Sequence, residues 1–136
     1  VAFASLVLAG CGATPSGRMN VLPVSGQVLL NGQPLPDAVV VFHPLQPFSD
    51  KSADFPRAVT DAKGLFRLST YSANDGAPLG EYLVSIDAAP PAESILKPPD
   101  PLAGRYRDPR ASGLKATISQ PNQSIDFQLN PSQPAP

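Results

Sequence analysis

His43 is the only imidazole of this chain and Cys11 its only thiol. His43 stands before Pro44 at the end of an apolar run and could in principle act as a base. No cysteine partner or serine motif lies near it in sequence, so a structural or surface role is expected. Asp61, Asp75, Asp100 and Asp108 fall in loop-like stretches, and calcium takes six to eight oxygens from such places. Asp61-Ala62-Lys63-Gly64 lacks the alternating acidic pattern of a calcium loop, however, and Lys63 would face the dication. These aspartates are read as turn formers, and no metal, cofactor or catalytic residue is expected. Arg105, Tyr106, Arg107 and Arg110 form a compact group of cations around a ring. Forked guanidinium groups could bind an anionic partner such as a phosphate or a wall polymer. The alternative is an edge whose arginines block strand-to-strand aggregation and pair with Asp108 or Asp100.

Cys11 offers a different chemistry. Val1–Ala9 is an unbroken run of apolar or small residues. Its length suits a signal-peptide core and is too short to span a bilayer. Leu8-Ala9-Gly10-Cys11 resembles the lipobox of bacterial lipoprotein precursors. The resemblance implies cleavage before Cys11, diacylation of its sulfur, and a stable lipid anchor, since two chains hold where one is marginal. Gly12 follows the cysteine in place of the aspartate that retains many lipoproteins at an inner membrane. A cell-envelope location is therefore expected, with the outer membrane or an outward-facing surface favoured.

Charge narrows the partners. A net charge of −1 and a pI near 5.7 argue against nucleic acid, which requires a basic surface. One cysteine leaves no intramolecular disulfide, so the fold must stand on its core. Residues 1–11 read as the lipoprotein signal and lipobox, 12–21 as a flexible linker, 22–130 as one domain, and 131–136 as a proline-rich tail. The roughly 11 chain steps from Cys11 to Leu22 would span about 18 Å as a coil, which keeps the domain near the lipid.

The 18 prolines mark out the elements. Seven segments without proline carry strand-like patterning: 24–30, 38–43, 57–60, 65–70, 82–88, 114–119 and 124–129. Proline removes a ladder donor and is confined to edges, ends and loops, so this spacing predicts a sheet protein. Tyr82, Val84 and Ile86 alternate with Leu83, Ser85 and Asp87, and Ile125, Phe127 and Leu129 alternate with Ser124, Asp126 and Gln128. Period-two alternation with one wet face predicts antiparallel sheets packed on one side. The expected fold is an all-β antiparallel sandwich of about seven strands.

Turn chemistry agrees. Asn31-Gly32 tolerates the positive φ of a tight hairpin between Leu30 and Gln33. Asp61 and Gly64 bracket a second turn. Pro78-Leu79-Gly80-Glu81-Tyr82 has the form of a tyrosine corner, which gives Tyr82 a structural role. Two irregular stretches remain. Pro44–Pro56 carries Phe48 and Phe55, which either cap the core or form a contact patch. Ala89–Gly113 holds six prolines and is long enough to be functional or disordered.

Val24-Ser25-Gly26-Gln27-Val28, then Gly32–Phe42, then Val59-Thr60-Asp61-Ala62-Lys63-Gly64-Leu65-Phe66-Arg67-Leu68, then Gly80-Glu81-Tyr82-Leu83-Val84 follow a familiar order. It resembles the carboxypeptidase regulatory-like domains, which implies a transthyretin-like (prealbumin-like) Greek-key sandwich and a non-catalytic accessory role. Transthyretin-like hydroxyisourate hydrolases use several histidines, an arginine and a C-terminal Tyr-Arg-Gly-Ser. Here Tyr106-Arg107 runs on into Asp108-Pro109, so that enzyme pattern is missing. The expected function is a membrane-anchored structural or protein-interaction module with a protein partner in the envelope. The alternative is a carbohydrate or wall-polymer binding module, with Tyr71 and Tyr106 as the rings on which a sugar could stack.

Overall fold

The computed structural model describes residues 18–88, 101–102 and 104–130. Cys11 with Leu8, Ala9 and Gly10, the tail 131–136 and Asp100 lie outside the described residues. Among those described there is no helix; the chain forms two sheets that pack into an all-β sandwich.

The strands are β1 (Val24–Leu30), β2 (Gln33–Pro34), β3 (Val39–Pro44), β4 (Arg57–Val59), β5 (Leu65–Arg67), β6 (Gly80–Asp87), β7 (Leu114–Ile118), β8 (Gln123–Ser124) and β9 (Phe127–Leu129). The second sheet has the order β4-β3-β6-β7 and is antiparallel throughout. The first is built on β1, which pairs antiparallel with β2 and β5. β8 and β9 also pair with β1, but in parallel.

That parallel pairing corrects the expectation of wholly antiparallel sheets. Alternation reports which face of a strand is buried and says nothing about its direction relative to a neighbour. The expected strand 124–129 is also split. Opposite Gly26 the ladder opens: Ile125 N–H donates to the Ser25 carbonyl at 2.8 Å, and Asp126 Oδ1 accepts from Gln27 N–H at 3.1 Å. The close approach needs a glycine, because a Cβ on residue 26 would overlap the Ile125 carbonyl oxygen and press on the Phe66 ring.

The core follows from the alternation. Val24 and Val28 of β1, Val40 and Phe42 of β3, Phe66 of β5, Tyr82, Val84 and Ile86 of β6, and Phe127 and Leu129 of β9 are buried between the sheets. Phe127 bridges the layers, edge-on to Phe42 at 6.1 Å and stacked on Phe66 at 6.2 Å. Aromatic contacts of this kind add to the area they bury. On one side the sandwich is closed by reciprocal backbone hydrogen bonds between Arg57 and Ser69 (3.1 and 3.0 Å), which tie β4 to the end of β5.

Two turns show their sequence chemistry directly. Asn31 and Gly32 have φ of 50° and 83°, the signs of the tight turn that joins β1 to β2 with Leu30 opposite Gln33. Asp61 Oδ1 accepts from the amides of Lys63 (2.8 Å) and Leu65 (3.0 Å), and Gly64 N–H donates to the Asp61 carbonyl (2.9 Å).

Candidate functional site

Tyr82 leaves β6 at the end where β3 finishes. Its hydroxyl donates to the Pro78 carbonyl at 2.6 Å, and Gly80 between them has φ of 143°. The ring packs 5.6 Å from Phe42 and 6.2 Å from Phe48. Burial pushes its phenol well above the ordinary tyrosine range. This is corner geometry, and it leaves no reactive hydroxyl.

The arginine cluster does not form one surface. Tyr106 is only 7% exposed. Its carbonyl accepts from Ile86 N–H at 2.9 Å and its hydroxyl accepts from Asn130 N–H at 3.0 Å. The ring plugs the side of the sandwich between β6 and the end of β9. Arg107 turns to Asp87, with Nε 3.2 Å from Oδ2 and Nη2 3.4 Å from Oδ1. Arg105 is half-buried, and Arg110 is exposed with its own amide donating to Asp108 at 2.9 Å. The expected ring flanked by three arginines is corrected accordingly: the aromatic member is part of the core. An irregular stretch has no alternation to reveal that.

The aspartates serve backbone amides. Asp75 accepts from Thr70 (2.7 Å), Tyr71 (2.9 Å) and Ser72 (3.0 Å), much as Asp61 does in its turn. Among the described residues no group of three or more His, Cys, Asp or Glu side chains is placed to hold a metal ion.

His43 does acquire a partner that sequence could not show. Its Nε2 lies 2.8 Å from Ser85 Oγ, because the β3–β6 register sets Val41 opposite Ser85 and His43 opposite Leu83. Burial lowers the imidazole pKa, against a smaller upward pull from Asp108, so the neutral ring is favoured. A neutral histidine on a serine hydroxyl is the contact a nucleophile–base pair needs. The surroundings do not complete it. Ser85 is 7% exposed, its strand is paired on both sides, and the following amide, Ile86 N–H, is spent on Tyr106.

The surface also has concave regions. A shallow groove of about 800 Å³ runs over the outer face of β1 and β5, where Ser25, Gln27, Arg67, Asn74, Ser124 and Asp126 present hydroxyl, amide, guanidinium and carboxylate groups. A smaller one of about 330 Å³ lies in the β3–β4 connection between Leu45, Phe48, Lys51 and Phe55. Phe48 caps the core on Tyr82, whereas Phe55 stays exposed with its ring 5.4 Å from His43 and 6.2 Å from Phe48.

Contacts also begin before residue 22. The Arg18 guanidinium lies 4.7 Å over the Tyr71 ring. Met19 N–H donates to Tyr71 Oη at 3.1 Å, and that hydroxyl donates to Asp50 Oδ2 at 2.6 Å. Hydrogen bonds from Ser52 and then Tyr71 hold the Asp50 carboxyl below its usual range, while desolvation and Asp50 raise the Tyr71 phenol. Leu22 and Ala77 exchange backbone hydrogen bonds at 2.9 Å. The stretch 18–21, expected to be free linker, is strapped to the sandwich, and Tyr71 is engaged by the strap in place of an open stacking platform.

No protein-family model matches the chain, and no curated protein matches it. Among solved structures it is similar to the dioxygenase domain of a dioxygenase–carbohydrate-binding protein fusion from the cellulolytic bacterium Streptomyces sp. SirexAA-E. The identity is 20%, over 87% of this chain and 84% of that one, with a TM-score of 0.39. Among the described residues no helix is long and apolar enough to cross a membrane.

Proposed function

We propose that the protein is a non-catalytic, lipid-anchored envelope lipoprotein whose transthyretin-like sandwich serves as a structural or protein-interaction module. The observation that carries this reading is the apolar run ending in Leu8-Ala9-Gly10-Cys11, followed closely by a folded domain. Supporting it, Tyr82 and Tyr106 are built into the core, Asp61 and Asp75 hold turns, and His43 rests on Ser85, whose following amide is bonded to Tyr106. β7 pairs on one side only among the described residues, which leaves an edge where a partner strand could add.

The test is membrane fractionation of the full chain and its Cys11→Ser variant, with metabolic fatty-acid labelling. The wild-type protein is expected in the membrane fraction carrying label, and the variant unlabelled and released. A Cys11→Ser protein that stays membrane-bound would overturn the anchor. In-cell cross-linking of the wild-type protein, followed by mass spectrometry, is expected to return one dominant protein partner.

A second reading, a glycan or wall-polymer binding module, is favoured by one feature: the groove over β1 and β5, whose lining suits a polyhydroxylated ligand. Recovery of glycan in place of protein by the same cross-linking would select it.

A further inference from the structure

The strap fixes which end of the sandwich lies next to the anchor. Seven chain steps separate Cys11 from Arg18, which even fully extended reach only about 25 Å. From Arg18 onward the chain is held through Tyr71 and Asp50, and again at Leu22–Ala77. β1 then runs away from this point for seven residues, roughly 20 Å of strand. The Asn31-Gly32 turn, with Gln33 beside Leu30, therefore stands that much farther out.

Three of the large exposed apolar side chains lie at the near end. β3 finishes there and β6 begins there, with Leu45 N–H donating to the Glu81 carbonyl at 3.0 Å. Leu45 is 48% exposed, Leu79 62% and Phe55 46%. Of the charges nearby, Asp50 is held by Tyr71 and Ser52 and Asp54 by Arg57 at 3.4 Å, while Lys51, beside Leu45 and Phe55, and Glu81 are exposed. Apolar tips with a lysine beside them fit the headgroup–acyl boundary of a bilayer that carries anionic lipid.

We propose that Leu45, Phe55 and Leu79 rest on the lipid surface, so that the sandwich stands upright on its anchor with the Asn31-Gly32 end outermost. This rests on the lipid anchor of the previous section. The occupant of the patch is lipid, and the groove over β1 and β5 is left accessible along the flank.

The chain contains no tryptophan, so a single one can report position. Full-length lipidated Leu79→Trp and Gln33→Trp proteins are reconstituted into vesicles of phosphatidylethanolamine and phosphatidylglycerol with brominated acyl chains. Gln33 is exposed at the far end, opposite Leu30. Trp at position 79 is expected to emit at shorter wavelength and lose about half its intensity to the bromines, while Trp at position 33 is unchanged. A Leu45→Trp protein provides a second reporter at the near end and is expected to behave like Leu79→Trp. Flotation of the same samples reads the anchor separately. Protein that floats with neither near-end reporter quenched overturns the orientation and leaves the anchor standing. Protein that does not float overturns the anchor and the orientation with it.

Discussion

His43 Nε2 and Ser85 Oγ lie 2.8 Å apart on the outer face of the second sheet, although 42 residues separate them in sequence. The contact exists because one diagonal of the β3–β6 ladder brings them together, and it favours the neutral ring.

The lowered pKa of His43 has a definite consequence for stability. Burial is the main cause, and Asp108 opposes it. The folded state then binds fewer protons than the unfolded chain, whose histidine titrates near 6.5. The His43 contribution is complete above that pH and is lost as pH falls through the lowered folded value. Denaturant unfolding from pH 7.5 downward should show stability declining below about 6.5, and His43→Gln should flatten that slope. An unchanged slope in the variant would assign the decline to other groups.

Tyr82→Phe keeps the ring against Phe42 and Phe48 but deletes the donor to Pro78. The expected cost is about 0.5–1.5 kcal/mol, the net value of one hydrogen bond. Urea unfolding with an unchanged slope and a lowered midpoint would register it.

Gly26→Ala should be more damaging than any other single methyl addition to β1. The new Cβ meets backbone at Ile125 and comes within 2.5 Å of Phe66 Cζ, so a flexible side chain cannot simply move aside. A loss of about 1–3 kcal/mol or more is expected, measured by thermal or urea unfolding.

Tyr71→Leu removes both the ring under Arg18 and the hydroxyl that joins Met19 to Asp50. Hydrogen exchange should accelerate at the Met19 amide and stay unchanged at Val28, deep in β1. Protection at Met19 equal to that of the wild type would show that the strap is held by other contacts.

Much of this fold is legible in the sequence because its driving force is periodic. Phe42, Tyr82, Val84, Ile86, Phe127 and Leu129 are buried where alternation puts them, and Asn31-Gly32 turns where positive φ is tolerated. What escapes is non-periodic. Strand direction leaves no mark on alternation, so β8 and β9 running parallel to β1 is visible only in three dimensions. Tyr106 lies in a turn-rich stretch whose burial is decided by the gap it fills. The strap depends on Tyr71 meeting Arg18 across 53 residues. At the candidate site, Asp61, Asp75 and Asp108 accept from nearby backbone amides as turn formers do, whereas the His43–Ser85 pair depends on a register that neither strand encodes alone.

The parallel pairing of β1 with β8 and β9 also sets the order in which the molecule can be completed. Val28 is matched with Phe127 and Leu30 with Leu129, so the first strand needs the last. Closing so long a loop is entropically costly and slow, and it places the chain among topologies of high contact order. A chain that lacks residues 123–129 has no β8 or β9 to pair with β1 and no Phe127 to join the two layers, so the sandwich is complete only once its last strand is in place.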